Sequence, residues 1–208
     1  KNGNVFVGTR TNVYAFTADG TQLWKVAGAV TEIGSFALDG ETIYAAQVGG
    51  AGLLALNTTD GSTKWNFEAN GDAYAPIVDK IGNVYFVDKG GKSLYAVSKD
   101  GQLKWKFASE SAPTYCFPVL DDKGNIYFGN GTGRIYAIDS SNGEELWHMD
   151  SEGTDNNAKI MSGMTIGDNQ MLYVSYIGGN VAAIKIFAGP EKSTWSCRGG
   201  NIHGTNQY

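Results

Sequence analysis

The stretch Gly133-Arg-Ile-Tyr-Ala-Ile-Asp-Ser-Ser-Asn-Gly-Glu-Glu-Leu-Trp147 decides how this chain folds, because three earlier stretches repeat its frame. Residues 12–24 read NVYAFTADGTQLW, residues 53–65 read LLALNTTDGSTKW and residues 93–105 read SLYAVSKDGQLKW. Each has an apolar run with an Ala inside it (Ala15, Ala55, Ala96, Ala137), then a polar turn closed by Gly, then Trp four residues after that Gly. The pairs are Gly20/Trp24, Gly61/Trp65, Gly101/Trp105 and Gly143/Trp147, and successive Trp residues stand 41, 40 and 42 positions apart. A fixed period of this length marks one supersecondary unit stacked on copies of itself.

The unit is clearest between Tyr115 and Met149. Four short runs rich in aromatic and β-branched residues (YCFPVL, NIYFG, RIYAID, ELWHM) alternate with turns built from Gly, Asn, Asp and Ser. Such runs read as strands. No window carries sustained helical spacing of apolar residues, so no helix is expected. Four strands per unit of about 40 residues predict the blade of an all-β propeller with antiparallel sheets. The Ala of the third strand leaves room for the Trp of the fourth to lie across it and cover the blade's outer edge. The Gly before each Trp supplies the positive φ that a tight hairpin needs.

This frame resembles the pyrroloquinoline-quinone (PQQ) repeat, the blade of quinoprotein dehydrogenases and of many non-enzymatic propellers, and the resemblance covers essentially the whole chain. The terminal W-S-C-R-G-G-N-I-H-G-T from Trp195 resembles the segment that flanks the repeat array in many members. Five blades are expected, at about 1–26, 33–67, 74–107, 115–149 and 160–198, with a polar tail over 199–208. The first lacks its inner strand. Either the chain is cut upstream or another segment supplies that strand, and truncation is the preferred expectation, because the tail is too rich in Gly and Asn for a strand. Five blades can close a ring, and so can more; with truncation the whole ring is expected to hold seven or eight blades, as in many relatives. Blade five is irregular: Gly189 precedes Trp195 by six residues, with Pro190 between them.

Composition agrees with many strands joined by tight turns: 12% aromatic residues, 29 Gly and only 4 Pro. A net charge of −5 with no basic run disfavours nucleic-acid binding. No apolar stretch is long enough for a transmembrane helix. Cys116 falls on an inner strand and Cys197 near the edge of another blade, a placement that argues against a bridge between them. The sequons at Asn57 and Asn130 both fall at turns and match by chance as readily as by function.

Functional groups of a propeller favour the face that gathers the fourth-to-first and second-to-third connections. The register puts Asp72, Tyr74, Ser111, Tyr115, Asp155, Asn156, Asn157 and Lys159 in the long connections there, and Arg10, Lys89, Lys92 and Arg134 in the short ones. From these, Tyr74, Tyr115, Arg134, Asp155, Asn156, Asn157 and Lys159 are the candidate ligand-binding residues. Residues 154–159 combine carboxylate, amide and ammonium groups that suit Ca²⁺ or a sugar, or form a plain polar loop. Tyr74 and Tyr115 open successive inner strands, where they either stack on a ligand at the channel mouth or pack between blades.

An enzyme of the resembling dehydrogenase type is expected to show adjacent cysteines at the quinone, a Glu/Asn/Asp set for Ca²⁺ and a catalytic Asp. Here the cysteines are 81 positions apart, and neither His148 nor His203 has a partner at metal-ligand spacing. No Gly-x-Ser-x-Gly elbow occurs. The resemblance therefore implies a non-catalytic binding or scaffold propeller without cofactor, outside the cytoplasm, presenting loops and channel to a protein or glycan of the cell envelope. The alternatives are part of a PQQ- and Ca²⁺-dependent alcohol or sugar dehydrogenase, and a structural spacer in a larger surface protein.

Overall fold

The computed structural model describes residues 3–28, 31–49, 52–113, 116–151, 159–160 and 163–191. The elements there are strands in five antiparallel sheets. Sheet one holds β1 (Val5–Gly8), β2 (Asn12–Phe16) and β3 (Gln22–Ala27). Sheet two holds β4 (Thr31–Asp39), β5 (Thr42–Gln47), β6 (Gly52–Asn57) and β7 (Thr63–Phe67). Sheet three holds β8 (Ala73–Val78), β9 (Val84–Asp88), β10 (Ser93–Val97) and β11 (Leu103–Ala108), and sheet four β12 (Val119–Leu120), β13 (Asn125–Gly129), β14 (Ile135–Asp139) and β15 (Glu145–Met149). Sheet five holds β16 (Thr165–Ile166), β17 (Met171–Ser175) and β18 (Val181–Lys185). Neighbours in sequence are neighbours in each sheet, which is the meander of a propeller blade. No helix among the described residues is long and apolar enough to cross a membrane.

Two regions depart from the sequence expectation. The inner strand of sheet four, expected over 115–120, shortens to Val119–Leu120. Pro118 has no N–H to donate, and Phe117 instead makes an isolated parallel bridge to Gly163 of the next blade. The inner strand of sheet five, expected from Ile160, likewise shortens to Thr165–Ile166. After β18 the chain does not fold back along it as far as Glu191. Gly189 O accepts Asp122 N (2.9 Å), Leu120 O accepts Glu191 N (3.1 Å), and Pro190 bridges Asp121. The stretch is thus stitched to the first turn of sheet four. Trp195 lies outside the described residues.

The repeated Ala, Gly and Trp residues form one device. Ala15, Ala55, Ala96 and Ala137 are fully buried, each with the Trp of its own blade opposite on one side and an aromatic of the second strand on the other. The rings meet across the Ala methyl: Phe6–Trp24, Tyr44–Trp65, Tyr85–Trp105 and Tyr127–Trp147, with centroids 5.9, 5.7, 5.8 and 5.8 Å apart. A larger side chain in place of Ala would fill the volume the rings share. The register shifts immediately after each of these Ala residues, a bulge that sharpens the outer strand's twist.

The indole does more than cover an outer edge, as the sequence suggested; it crosses to the next blade. Trp24, Trp65 and Trp105 donate Nε1–H to the carbonyls of Thr58 (3.0 Å), Lys99 (2.8 Å) and Ser140 (2.9 Å). Those carbonyls flank the next hairpin Gly. A Cβ on Gly61, Gly101 or Gly143 would lie 2.8, 2.9 or 2.6 Å from the indole of the preceding blade. Glycine is required there twice, for positive φ and for room. Gly20 shares the positive φ, but a Cβ on it would meet nothing within 4 Å.

A second contact repeats two residues beyond the Trp. Phe67 meets Phe86 and Tyr95 edge-on, and Phe107 meets Phe128 and Tyr136 the same way. The receiving rings are themselves stacked, at 5.1 and 5.0 Å. Each such aromatic contact adds about 1 kcal/mol beyond area burial.

Candidate functional site

Arg134 enters β14 from the second-to-third-strand connection, and its guanidinium is held by two carboxylates. Nη1 lies 2.7 Å from Glu110 Oε1, while Nε and Nη2 reach Asp150 Oδ1 and Oδ2 at 2.6 and 3.1 Å. The planar fork suits this paired geometry. The Arg134 side chain is 18% exposed, whereas those of Glu110 and Asp150 are 71% and 62% exposed. The cation is therefore tucked beneath an acidic rim with one net negative charge. The Arg134 hydrogen bond holds the Asp150 carboxyl below its ordinary range. Glu110 leaves the last strand of blade three and Asp150 the last strand of blade four, so Arg134 ties two consecutive exits together.

The backbone around this cluster is laced in the same direction. Gly131 N donates to Ala112 O (2.9 Å), and both Glu110 N and Asn130 Nδ2 reach Tyr136 Oη at 3.4 Å. Ser109 Oγ donates to Ser111 O at 2.6 Å. Asn130 is fully buried, and its Oδ1 accepts Thr132 N, Thr132 Oγ1 and Arg134 N. That amide is unavailable to a glycosyl transferase in the folded state. Sequence reasoning singled out Arg134 but missed Glu110, Asp150, Asn130 and Tyr136. The signal was a lone Arg in a Gly-rich turn of an acidic chain, which needs counter-charges from neighbouring exits.

The other candidates spread out. Tyr74 is only 4% exposed, packed in the core between blades, with Oη 3.4 Å from Asp72 Oδ2. Asp72 Oδ1 accepts Gly49 N (2.6 Å) and its carbonyl accepts Lys89 N (3.0 Å), which joins blades two and three. Lys159 is half-buried, and its carbonyl accepts Ile177 N at 3.1 Å. Arg10 and Lys92 are exposed, and Lys89 and Ser111 half-buried. Tyr115, Asp155, Asn156 and Asn157 lie outside the described residues, as do Cys197 and His203. Asp88, fully buried at the end of β9, accepts Gly91 N through Oδ1, and Gly71 and Gly90 cross beside it too closely for any Cβ.

The donor set that a quinone with Ca²⁺ needs is not assembled among the described residues. No three His, Cys, Asp or Glu side chains converge there. Cys116 is fully buried, accepts Gly129 N on Sγ (3.0 Å), and burial pushes its thiol up to about 12, so it stays protonated and inert. His148 sits at the surface with Nδ1 2.6 Å from Glu145 Oε1. What the described face offers chemically is hydrogen bonding and charge on stapled blades.

A family model described as outer membrane protein assembly factor BamB matches residues 9–204. No curated protein matches the sequence. Among solved structures, the chain is similar to BamB from Moraxella catarrhalis, with a TM-score of 0.74 at 19% identity, over 88% of this chain and 55% of that one. It is similar to the computationally designed Ika8 protein, with a TM-score of 0.75 at 16% identity, over 89% of this chain and 56% of the design. Virginiamycin B lyase from Staphylococcus aureus also matches, with a TM-score of 0.69 at 15% identity, over 89% of this chain and 67% of that one. At these identities the likeness shows the propeller fold, and that fold serves a lyase as well as an assembly factor. The chain spans little more than half the length of the first two.

Proposed function

This chain belongs to the family described as outer membrane protein assembly factor BamB, and from that premise we propose that it is a non-catalytic binding or scaffold propeller of the cell envelope. It presents its loop face and central channel to a protein or glycan partner outside the cytoplasm. The observation that carries this reading is the Arg134 cluster: a charged, half-exposed rim on connections that the blades hold rigidly. Preorganised loops bind with little ordering cost. The chain spans little more than half the length of the BamB structure it resembles, so the partner is part of this proposal.

Two measurements test it. A photo-crosslinking residue is placed at Arg10, Lys92 or Ser111 on the loop face, or at Lys80 or Lys104 away from it. Adducts with envelope components are expected from the first set; equal yields from both sets overturn the loop-face reading. The protein is also mixed with pyrroloquinoline quinone and excess Ca²⁺, desalted, and its absorbance recorded. A stoichiometric quinone band retained in the protein peak overturns the non-catalytic reading in favour of a dehydrogenase.

A further inference from the structure

Asn-Gly pairs stand at positions 2–3, 70–71, 130–131 and 142–143. In such a pair the glycine nitrogen can attack the asparagine side-chain amide, because glycine has no Cβ to crowd the approach. The fold decides whether it does, by how tightly it holds the attacking nitrogen and the amide. Asn2 lies outside the described residues. The other three pairs are held very differently.

Asn130 is fully buried and its amide is committed: Oδ1 accepts Thr132 N (3.0 Å) and Arg134 N (3.1 Å), and Nδ2 donates to Tyr136 Oη. Its Gly131 N donates to Ala112 O at 2.9 Å. Asn142 is exposed, but its Oδ1 accepts Glu144 N (2.9 Å), and Gly143 N donates to Asp139 O (2.8 Å) within the hairpin that receives the Trp105 indole. Asn70 and Gly71 form a bend in the connection between β7 and β8, on the loop face. Asn70 is exposed, and among the described residues neither its amide nor Gly71 N makes a hydrogen bond. Packing nevertheless requires the glycine: a Cβ on Gly71 would lie 2.5 Å from Gly90 Cα and 2.7 Å from Asp88 Oδ1. The pair thus combines an unheld nitrogen with an unheld amide at a position no larger residue can fill.

We propose that Asn70 is a site of spontaneous deamidation, a modification that adds a carboxylate to the loop face with time. Gly71 N gives its proton to a solvent base and attacks Asn70 Cγ. The bond from Cγ to the side-chain nitrogen breaks, that nitrogen takes up a proton and leaves as ammonia, and a cyclic succinimide remains. Water then adds to either ring carbonyl and opens the ring, which leaves an aspartyl or an isoaspartyl residue. No oxidant or reductant is involved. The new charge stands two positions from Asp72. It also borders the turn that covers Asp88: a Cβ on Gly91 in that turn would lie 3.3 Å from Asn70 Cβ. Asp88 Oδ2 is buried there with no hydrogen-bond partner among the described residues, so the added charge meets like charge. The proposal concerns this chain's own chemistry and stands whether or not the loop face captures a partner.

The test is peptide mapping by mass spectrometry of the whole chain aged at mildly alkaline pH, once in buffer and once in urea. In buffer, the tryptic peptide from Trp65 to Lys80 should gain the mass of an acid replacing an amide and split into aspartyl and isoaspartyl forms. It should convert at least about tenfold faster than the peptides that hold Asn130 and Asn142, where hydrogen bonds must first be given up. In urea those bonds are gone, and the three rates should converge. Asn70→Gln, whose longer side chain forms the ring far less readily, should remove the conversion in its own peptide and leave the other two unchanged. The same variant should abolish the early acidic species seen on ion exchange. Conversion of Asn142 in buffer as fast as that of Asn70, an unchanged spread of rates in urea, or an early acidic species that persists in Asn70→Gln overturns the proposal.

Discussion

Blades four and five share a register and differ in almost everything that register holds. Leu120 pairs with Ile126 and Ile166 with Leu172; the tyrosine that follows, Tyr127 or Tyr173, faces an alanine, Ala137 or Ala183. In blade four the Asp121 carboxylate is fully buried with four donors around it. Blade five has Gly167 in that place, and Tyr173 Oη instead accepts Asn169 Nδ2 at the surface. The stacked pair Phe128/Tyr136 becomes Val174 and Ala182. The wedge that Phe107 drives into blade four becomes, at the next joint, Met149, which is 37% exposed. β14 is nearly all buried, while Val181 at the start of β18 is 67% exposed. Hydrogen-bond register makes a blade; an indole, an aromatic wedge and an inward carboxylate make it part of a stack.

The largest effect is expected from Trp105→Ala. It removes the ring that touches Tyr85, Gly143 and the Ser140 carbonyl at once. The loss should be about 3–5 kcal/mol by urea unfolding. Val181→Ala in blade five should stay within about 0.5 kcal/mol. Comparable losses for the two would break the distinction between stapled and open blades.

Next comes the carboxylate. Asp121→Ala should cost about 2–4 kcal/mol, because four donors, two of them side chains, lose a charged acceptor. Asp168→Ala in the corresponding turn of blade five, where the side chain is exposed, should cost under about 0.5 kcal/mol. The reverse experiment sharpens the point: Gly167→Asp with Met171→Asn should raise the unfolding midpoint if the turn carries the device by itself.

The glycine pair separates conformation from contact. Gly20→Ala and Gly143→Ala both meet the positive-φ penalty of about 1–2 kcal/mol. Only Gly143→Ala also drives a methyl into the Trp105 indole, which adds about 1–3 kcal/mol. Equal losses in chemical denaturation would show that the indole moves aside freely.

The smallest effect concerns pH. The folded Asp150 carboxyl lies below its unfolded value because Arg134 bonds its charged form. That contribution is present above the unfolded value, about 3.9, and is lost as pH falls through the lower folded one. Solvent screening keeps it small at this exposed site. Arg134→Met should flatten the acid limb of the stability curve slightly, with neutral-pH stability changed little; an unaltered limb would detach Asp150 from Arg134.

Much of this was legible beforehand where the signal is local. The Ala, Gly and Trp positions located all four repeated hairpins, because a two-residue alternation and a positive-φ turn are properties of a few adjacent residues. What was not legible depends on a neighbouring blade. Tyr74 looks like a candidate ligand residue in sequence and is core in space. Arg134 looks like a loop cation, yet its partners lie 24 positions before it at Glu110 and 16 after it at Asp150. Pro118 and Pro190 were both visible, but not that Phe117 would bridge to Gly163 or that residues 189–191 would join blade four.

Sequence alone determined the unit, its period and the chemistry of its turns, since these follow from backbone sterics and strand alternation within some forty residues. Only the tertiary structure decided that the indoles of Trp24, Trp65 and Trp105 reach past their own blades to carbonyls 34 or 35 residues on, and that Arg134 ties the exits of two consecutive blades together. The physical reason is that packing is settled by volumes and unpaired polar groups brought together from distant positions, and one sequence read in order does not contain those distances.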